Sequence, residues 1–131
     1  MNIIIIDDSP TNLLILRSFV ARIKGAQSIG FSDPLIAVKH LRCNPADLII
    51  VDYSMPGMTG MEITKQLRSS LLHADTPIVM ITASLEQAVR LRAAEVGVTG
   101  FLRKPVESRE FAKCLQNLLG MPRRQASFHL P

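Results

Sequence analysis

Ile3-Ile4-Ile5-Ile6-Asp7-Asp8-Ser9-Pro10 is the stretch that decides the fold. Isoleucines in an unbroken row, with no polar alternation, are the pattern of a strand buried on both faces. The run ends in two acids. Ser9 then offers a hydroxyl to cap a helix, and Pro10 suits the first helical position, where its missing N–H costs nothing. Leu16, Phe19, Val20 and Ile23 follow at i, i+3, i+4 and i+7, one face of that helix, which Gly25 ends.

The same grammar recurs downstream. A weaker strand, Ala26 to Phe31, precedes Asp33-Pro34, a second cap-plus-proline signal, with Ala37, Val38 and Leu41 as the apolar face behind it. Leu48-Ile49-Ile50-Val51 runs into Asp52 and the loop Ser54-Met55-Pro56-Gly57-Met58. Thr59 and Glu62 have capping-box spacing and open a third helix carrying Ile63, Leu67 and Leu71. Pro77 precedes Ile78-Val79-Met80-Ile81, which runs into Thr82. A fourth helix is expected over about Leu85 to Val96, stopping at Gly97, then a fifth strand from Val98 to Leu102 leading to Lys104-Pro105. Ser108 can cap a last helix with Phe111, Leu115, Leu118 and Leu119 on its buried side, ended by Gly120. Strand and helix thus alternate five times. That order predicts an α/β fold, a parallel sheet covered by helices on both faces with right-handed crossovers. Ligands of such sheets bind outside the carboxyl ends of the strands. The stretch 121–131, with Pro122, Arg123, Arg124 and Pro131, lacks helical pattern and reads as a tail or the start of an interdomain linker after a domain over 1–120.

Bulk composition agrees with this reading. The chain has 131 residues, enough for one core, and is 47% hydrophobic. Its apolar runs are far too short to span a membrane, and no cationic region or cleavage site follows Met1, so a secretory signal is not expected and a cytoplasmic location is. Cys43 and Cys114 stand far apart, outside any metal-type spacing, and read as reduced thiols. The net charge of +4 comes from basic residues scattered over predicted helices and the tail. It gives no block for nucleic acid, and direct binding to nucleic acid or membrane is not expected. His40, His73 and His129 are expected on the surface.

If the apolar runs are neighbouring parallel strands, Asp7, Asp8, Asp52, Thr82 and Lys104 share one edge of one sheet. Singly, Asp8 reads as a cap, Thr82 as a turn residue and Lys104 as a solvated lysine. Jointly they have a chemistry. Crowded carboxylates call for a divalent cation, and magnesium prefers oxygen ligands plus waters and a phosphate. Asp8 and Asp52 are the best direct ligands, with Asp7 direct or through water, and the Ser54 carbonyl adds one from the loop. Asp52 can also attack phosphorus to form an acyl phosphate. The cation, the Lys104 ammonium and the Thr82 hydroxyl would then each hold one phosphoryl oxygen.

These residues, with the Met55-Pro56-Gly57-Met58-x-Gly60 loop, Thr82-Ala83 and Lys104-Pro105, resemble the receiver domain of bacterial two-component response regulators, over Met1 to about Gly120. The resemblance implies a flavodoxin-like (βα)5 three-layer sandwich with strand order 2-1-3-4-5. It implies Asp52 as phosphoacceptor from a histidine kinase or phosphotransfer protein, with Mg2+ (or Mn2+) on Asp7, Asp8, Asp52 and the Ser54 carbonyl. Thr82 and Lys104 would sense the phosphoryl group, and Phe101 would be the switch aromatic, without a phenolic hydroxyl. The Lys104-Pro105 bond is expected to be cis. Self-catalysed phosphoryl transfer and autodephosphorylation are implied, and turnover of an external substrate is not. The output face would be the fourth helix, fifth strand and fifth helix, with Glu86, Arg90, Arg103, Arg109 and Lys113 as surface residues. It would meet an effector domain, a partner protein or, on phosphorylation, a second copy. Ser54 and Ser84, two residues beyond Asp52 and Thr82, would flank the attacking water.

Other readings of the strand ends fare worse. An aspartate-nucleophile phosphatase of the haloacid dehalogenase type needs a second Asp where Ser54 stands. Three carboxylates would repel the phosphate of FMN. No G-x-x-x-x-G-K-[ST] loop is present. The output is not written in these residues. Asp33-Pro34 and the Asp52 to Met58 stretch look like receivers attached to cyclic-dinucleotide phosphodiesterases, and a helical DNA-binding domain is the other common output.

Overall fold

A parallel five-stranded sheet in the order β2-β1-β3-β4-β5 organises the chain. The computed structural model describes residues 1–84 and 86–120; Leu85 and the predicted tail, with His129, lie outside the described residues. The strands are β1 (Asn2–Ile6), β2 (Gln27–Phe31), β3 (Leu48–Asp52), β4 (Ile78–Thr82) and β5 (Gly100–Arg103). The helices are α1 (Pro10–Ala21), α2 (Pro34–Cys43), α3 (Gly60–Arg68), α4 (Gln87–Val96) and α5 (Ser108–Leu119). The order 2-1-3-4-5 is that of the flavodoxin-like fold.

Strand pleating explains the unbroken apolar runs. Ile3 and Ile5 of β1 pack with Leu16 and Val20 of α1 and with Phe111 and Leu115 of α5. Ile4 and Ile6 point the other way, to Ala37, Val38 and Leu41 of α2, Ile63 and Leu67 of α3 and Ala93 of α4. Both faces of each central strand are covered, so polar side chains are confined to the strand ends.

The caps form largely as the sequence dictates. Ser9 accepts from Asn12 N–H, Asp33 from Leu35 N–H, and Thr59 and Glu62 complete a capping box. Gly97 closes α4 at φ 108°, a conformation other residues resist. Ser108 departs from expectation: it is the first helical residue, and Glu107 holds the cap position without a side-chain bond. β5 starts at Gly100 rather than Val98, where Gly100 lets Leu118 and Cys114 of α5 press against the strand.

Two expectations fail together after α3. Leu71 is not on the helix's apolar face: α3 stops at Arg68, and Leu71 sits in a 3-10 turn with 98% of its surface exposed. His73, expected outside, is fully buried. Its Nε2 lies 2.7 Å from the Leu41 carbonyl, which can only accept, so Nε2 carries the proton; Nδ1 lies 3.3 Å from Thr76 Oγ1. An imidazole with both ring nitrogens engaged is buried at little cost. Arg68 holds the turn by donating to the carbonyls of His73, Thr76 and Gly97. His40 is half-buried with its ring centroid 5.1 Å from that of Phe31.

Candidate functional site

Sheet register brings the acids together. Ile6 pairs with Val51, so Asp7 and Asp52 sit side by side one residue further along. Asp52 is the last residue of β3 and pairs with Ile81, just before Thr82. Thr82 pairs with Arg103, which leads to Lys104. Asp7 and Asp52 are buried and Asp8 is exposed; one carboxylate oxygen from each lies within 4.8 Å of the others.

Lys104 reaches back over the edge to place Nζ 2.9 Å from Asp52 Oδ1. That oxygen is buried and, among the described residues, accepts no well-directed hydrogen bond, so the ammonium offsets its charge. Three carboxylates face one ammonium, a local charge deficit that a hard divalent cation fits. The donor set is all oxygen, and one member is a buried atom with an ion pair but no hydrogen bond among the described residues, which is the condition such an ion relieves.

Asp7 feels the crowding most. Burial pushes its carboxyl above the ordinary range; the Ser9 N–H, 2.9 Å from Oδ1, pulls it back; Asp52 raises it, Lys104 lowers it and Asp8 raises it again. The folded chain therefore holds this proton more tightly than the unfolded one. The stability from that proton is fully present below the unfolded value of 3.8 and is lost as pH rises through the raised folded value. Asp7→Asn is accordingly expected to stabilise the metal-free protein at neutral pH by on the order of 1 kcal/mol. The gain should shrink as pH falls toward the ordinary carboxylate range. Melting curves of both forms in chelator across that range check it.

The structure brings Asp7, Asp8, Asp52 and Lys104 into one cluster. Thr82 is buried nearby, but its hydroxyl donates to the Ser84 carbonyl at 3.0 Å and accepts from Ser84 N–H at 3.2 Å, so it is engaged in its own loop. Phe101 is half-buried against the α2–α3–α4 side of the core, with the Arg90 guanidinium 6.0 Å from its ring centre. Ser54 is exposed in the loop after Asp52. The Lys104-Pro105 bond is cis.

Gly60 has a structural role that its place in a motif does not reveal. A Cβ there would lie 2.7 Å from the Asp52 carbonyl oxygen and 3.1 Å from Tyr53 Cα. The first turn of α3 thus rests directly on the backbone that carries Asp52, and Gly60 N–H donates to the Tyr53 carbonyl at 3.0 Å. The sequence signal is a glycine one residue past a helix cap, a position that has no local need for one.

A family model described as the response regulator receiver domain matches residues 3–116. The cyclic di-GMP phosphodiesterase response regulator RpfG of Xanthomonas campestris pv. campestris is 36% identical over 128 residues, 97% of this chain. The chain spans only 34% of that relative's length. The solved chemotaxis response regulator CheY4 of Vibrio cholerae superposes with a TM-score of 0.84 at 28% identity, covering 89% of this chain and 97% of its own. The receiver domain of the sensor histidine kinase PA1611 from Pseudomonas aeruginosa PAO1, crystallised with a magnesium ion in its active-site cleft, shares the fold at a TM-score of 0.83 and 24% identity, covering 92% of this chain and 98% of its own.

Proposed function

The chain belongs to the response regulator receiver domain family of two-component systems, and on that premise we propose that it accepts a phosphoryl group on Asp52. One observation carries the reading. Asp52 is a buried carboxylate at a strand's carboxyl end, with two further acids within 4.8 Å and an ammonium 2.9 Å away. A carboxylate oxygen of Asp52 attacks phosphorus, and the bond from phosphorus to the donor's nitrogen or oxygen breaks, its electron pair leaving with the donor. Asp7, Asp8, Asp52 and the Ser54 carbonyl would hold one Mg2+ or Mn2+, which supplies positive charge to the phosphoryl oxygens. Lys104 stands ready to follow the charge from Asp52 Oδ1 to a phosphoryl oxygen. Thr82 must exchange its bond to Ser84 for one to the phosphoryl group. That exchange is the differential contact through which phosphorylation can shift a conformational equilibrium. Phe101, half-buried behind it, would respond.

Receiver domains are signalling domains, and the donor is taken to be a histidine kinase or a phosphotransfer protein. The output face is assigned to α4, β5 and α5, where Glu86, Arg90, Arg103, Arg109 and Lys113 are all exposed. A second reading concerns what is attached. The 36% identity to RpfG favours this chain as the receiver part of a longer regulator, with cyclic di-GMP phosphodiesterase output, over a receiver that acts alone. Among the described residues no helix is long and apolar enough to cross a membrane. The test is incubation with acetyl phosphate and Mg2+ followed by peptide mass spectrometry. One phosphoryl group on the peptide bearing Asp52, absent when EDTA replaces Mg2+, is expected; an unmodified protein would remove the assignment.

A further inference from the structure

Residues 26 to 32, Ala-Gln-Ser-Ile-Gly-Phe-Ser, carry no charge and no proline. They contain β2, the terminal strand on one side of the sheet. Edge strands are ordinarily protected by charges, prolines or bulges. The opposite edge obeys: β5 ends on exposed Arg103. β2 does not. Gln27 N–H donates to the Met1 carbonyl, and the Phe31 carbonyl accepts from Asp7 N–H. Odd-numbered residues therefore turn their backbone groups toward β1, and Ser28 and Gly30 turn theirs outward. Arg17 of α1 agrees with that parity, reaching Ser28 Oγ at 3.3 Å and the Ser28 carbonyl at 3.5 Å.

Apolar surface flanks this edge on both faces of the sheet. Ile29, at its centre, is 47% exposed. On one side Leu14 of α1, 73% exposed, lines a groove with Leu13, Ser28 and Gly30. On the other side Ile36 of α2, 56% exposed, lies one turn before His40, whose ring packs at a tilt against Phe31.

We propose that this edge is a self-association surface, on which a second copy of the chain adds its β2 antiparallel and continues the sheet. The strand is complementary to itself. A two-fold axis through Ile29 sets Ser28 opposite Gly30 of the second copy, and Gly30 opposite its Ser28. Each pair exchanges two N–H···O bonds, so the outward groups of one copy satisfy those of the other. Ile29 meets its twin as a non-hydrogen-bonded pair, the closer arrangement, which covers both side chains. The same axis brings exposed Asp33, just beyond one end of the strand, beside exposed Lys24 of the second copy, and this contact occurs twice. Arg17 works against the pairing. It must release the Ser28 carbonyl, and two copies bring two guanidinium groups together.

Sedimentation of the full chain up to millimolar concentration, without a phosphoryl donor, tests this. Association that rises with concentration is expected, strengthened about tenfold or more by Arg17→Ala and weakened as much by Ser28→Pro or Ile29→Lys. Ser28→Pro deletes an N–H that β1 does not use, and Ile29→Lys puts like charges on the axis at an exposed position. Thermal melts of both variants should show an intact fold. Ile29→Cys should form an intermolecular disulfide under mild oxidation, while the wild type, with Cys43 and Cys114, should not. Wild type and Arg17→Ala both monomeric throughout would overturn the proposal. So would a dimer indifferent to Ser28→Pro and Ile29→Lys, since its contact would lie elsewhere, or an edge that pairs only with added extended peptide.

Discussion

Asp52→Asn is expected to leave the protein folded and unable to accept a phosphoryl group. The amide keeps the carboxylate's shape but not its nucleophilic oxygen. The variant also loses the ion pair to Lys104. The Lys104 side chain is about a third exposed and can turn to water, so that loss should cost no more than about 1 kcal/mol. Removing one of three crowded carboxylates works in the opposite direction, since Asp52 is among the charges that raise Asp7. The net change in melting temperature should therefore be small, while labelling by acetyl phosphate goes to zero. The response to Mg2+ separates site from fold. An ion present at ten times its Kd stabilises the wild type by about 1.4 kcal/mol, and the variant should lose most of that. Lys104→Met should keep the nucleophile and lose the cation, slowing labelling on the order of 10²- to 10³-fold. Intact-mass time courses with parallel melts measure both. A variant lacking Asp52 that labels as wild type would end the phosphoacceptor reading; wild-type rates without Lys104 would remove its role.

Much of this arrangement is legible in the amino-acid sequence, for a physical reason. Buried parallel strands leave uninterrupted runs such as Ile3 to Ile6, and the residues that follow must lie at the sheet's carboxyl edge whatever the loops do. Topology alone therefore places Asp7, Asp52 and Lys104 together. Helix starts are legible where a local bond makes them, at Ser9, Asp33 and Thr59. They are not at Ser108, where no side-chain cap forms and the boundary is set by packing of Phe111 and Leu115.

Long-range bonds account for the misses. Nothing near His73 announces that the Leu41 carbonyl, distant in sequence, will meet its Nε2. Arg68 likewise looks like a solvated charge at a helix end until the chain brings Gly97, His73 and Thr76 carbonyls around it. With Arg68 so engaged the helix stops, and Leu71 leaves the face that periodicity assigned to it. Thr82 shows a subtler limit. Its position can be read, but the commitment of its hydroxyl to Ser84 cannot, because two-residue loop geometry has no periodic signature.

Gly60→Ala is expected to destabilise the protein by about 2 kcal/mol and lower its melting temperature by roughly 6–10 °C. Propensity alone predicts the reverse, because Gly60 is the first residue of α3 and alanine is the better helix former. The clash decides the sign. The atoms a Cβ would meet are the Asp52 carbonyl oxygen at 2.7 Å, Tyr53 Cα at 3.1 Å and the Asp52 carbonyl carbon at 3.3 Å. All three are backbone and none can swing aside as a side chain would. Relief requires α3 to lift away from β3, which stretches the bond from Gly60 N–H to the Tyr53 carbonyl, or requires the end of β3 to move. The second route displaces Asp52 itself. The variant should therefore label more slowly with acetyl phosphate even at temperatures where it is fully folded. Gly57→Ala is the control from the same loop. Gly57 has φ 82° and open space around it, so alanine there meets backbone strain alone. It should cost about 1 kcal/mol and leave labelling near wild type. Equal stability of Gly60→Ala and wild type would show that α3 does not rest on the backbone of Asp52. A stability loss with unchanged labelling would show that it rests there without positioning the carboxylate.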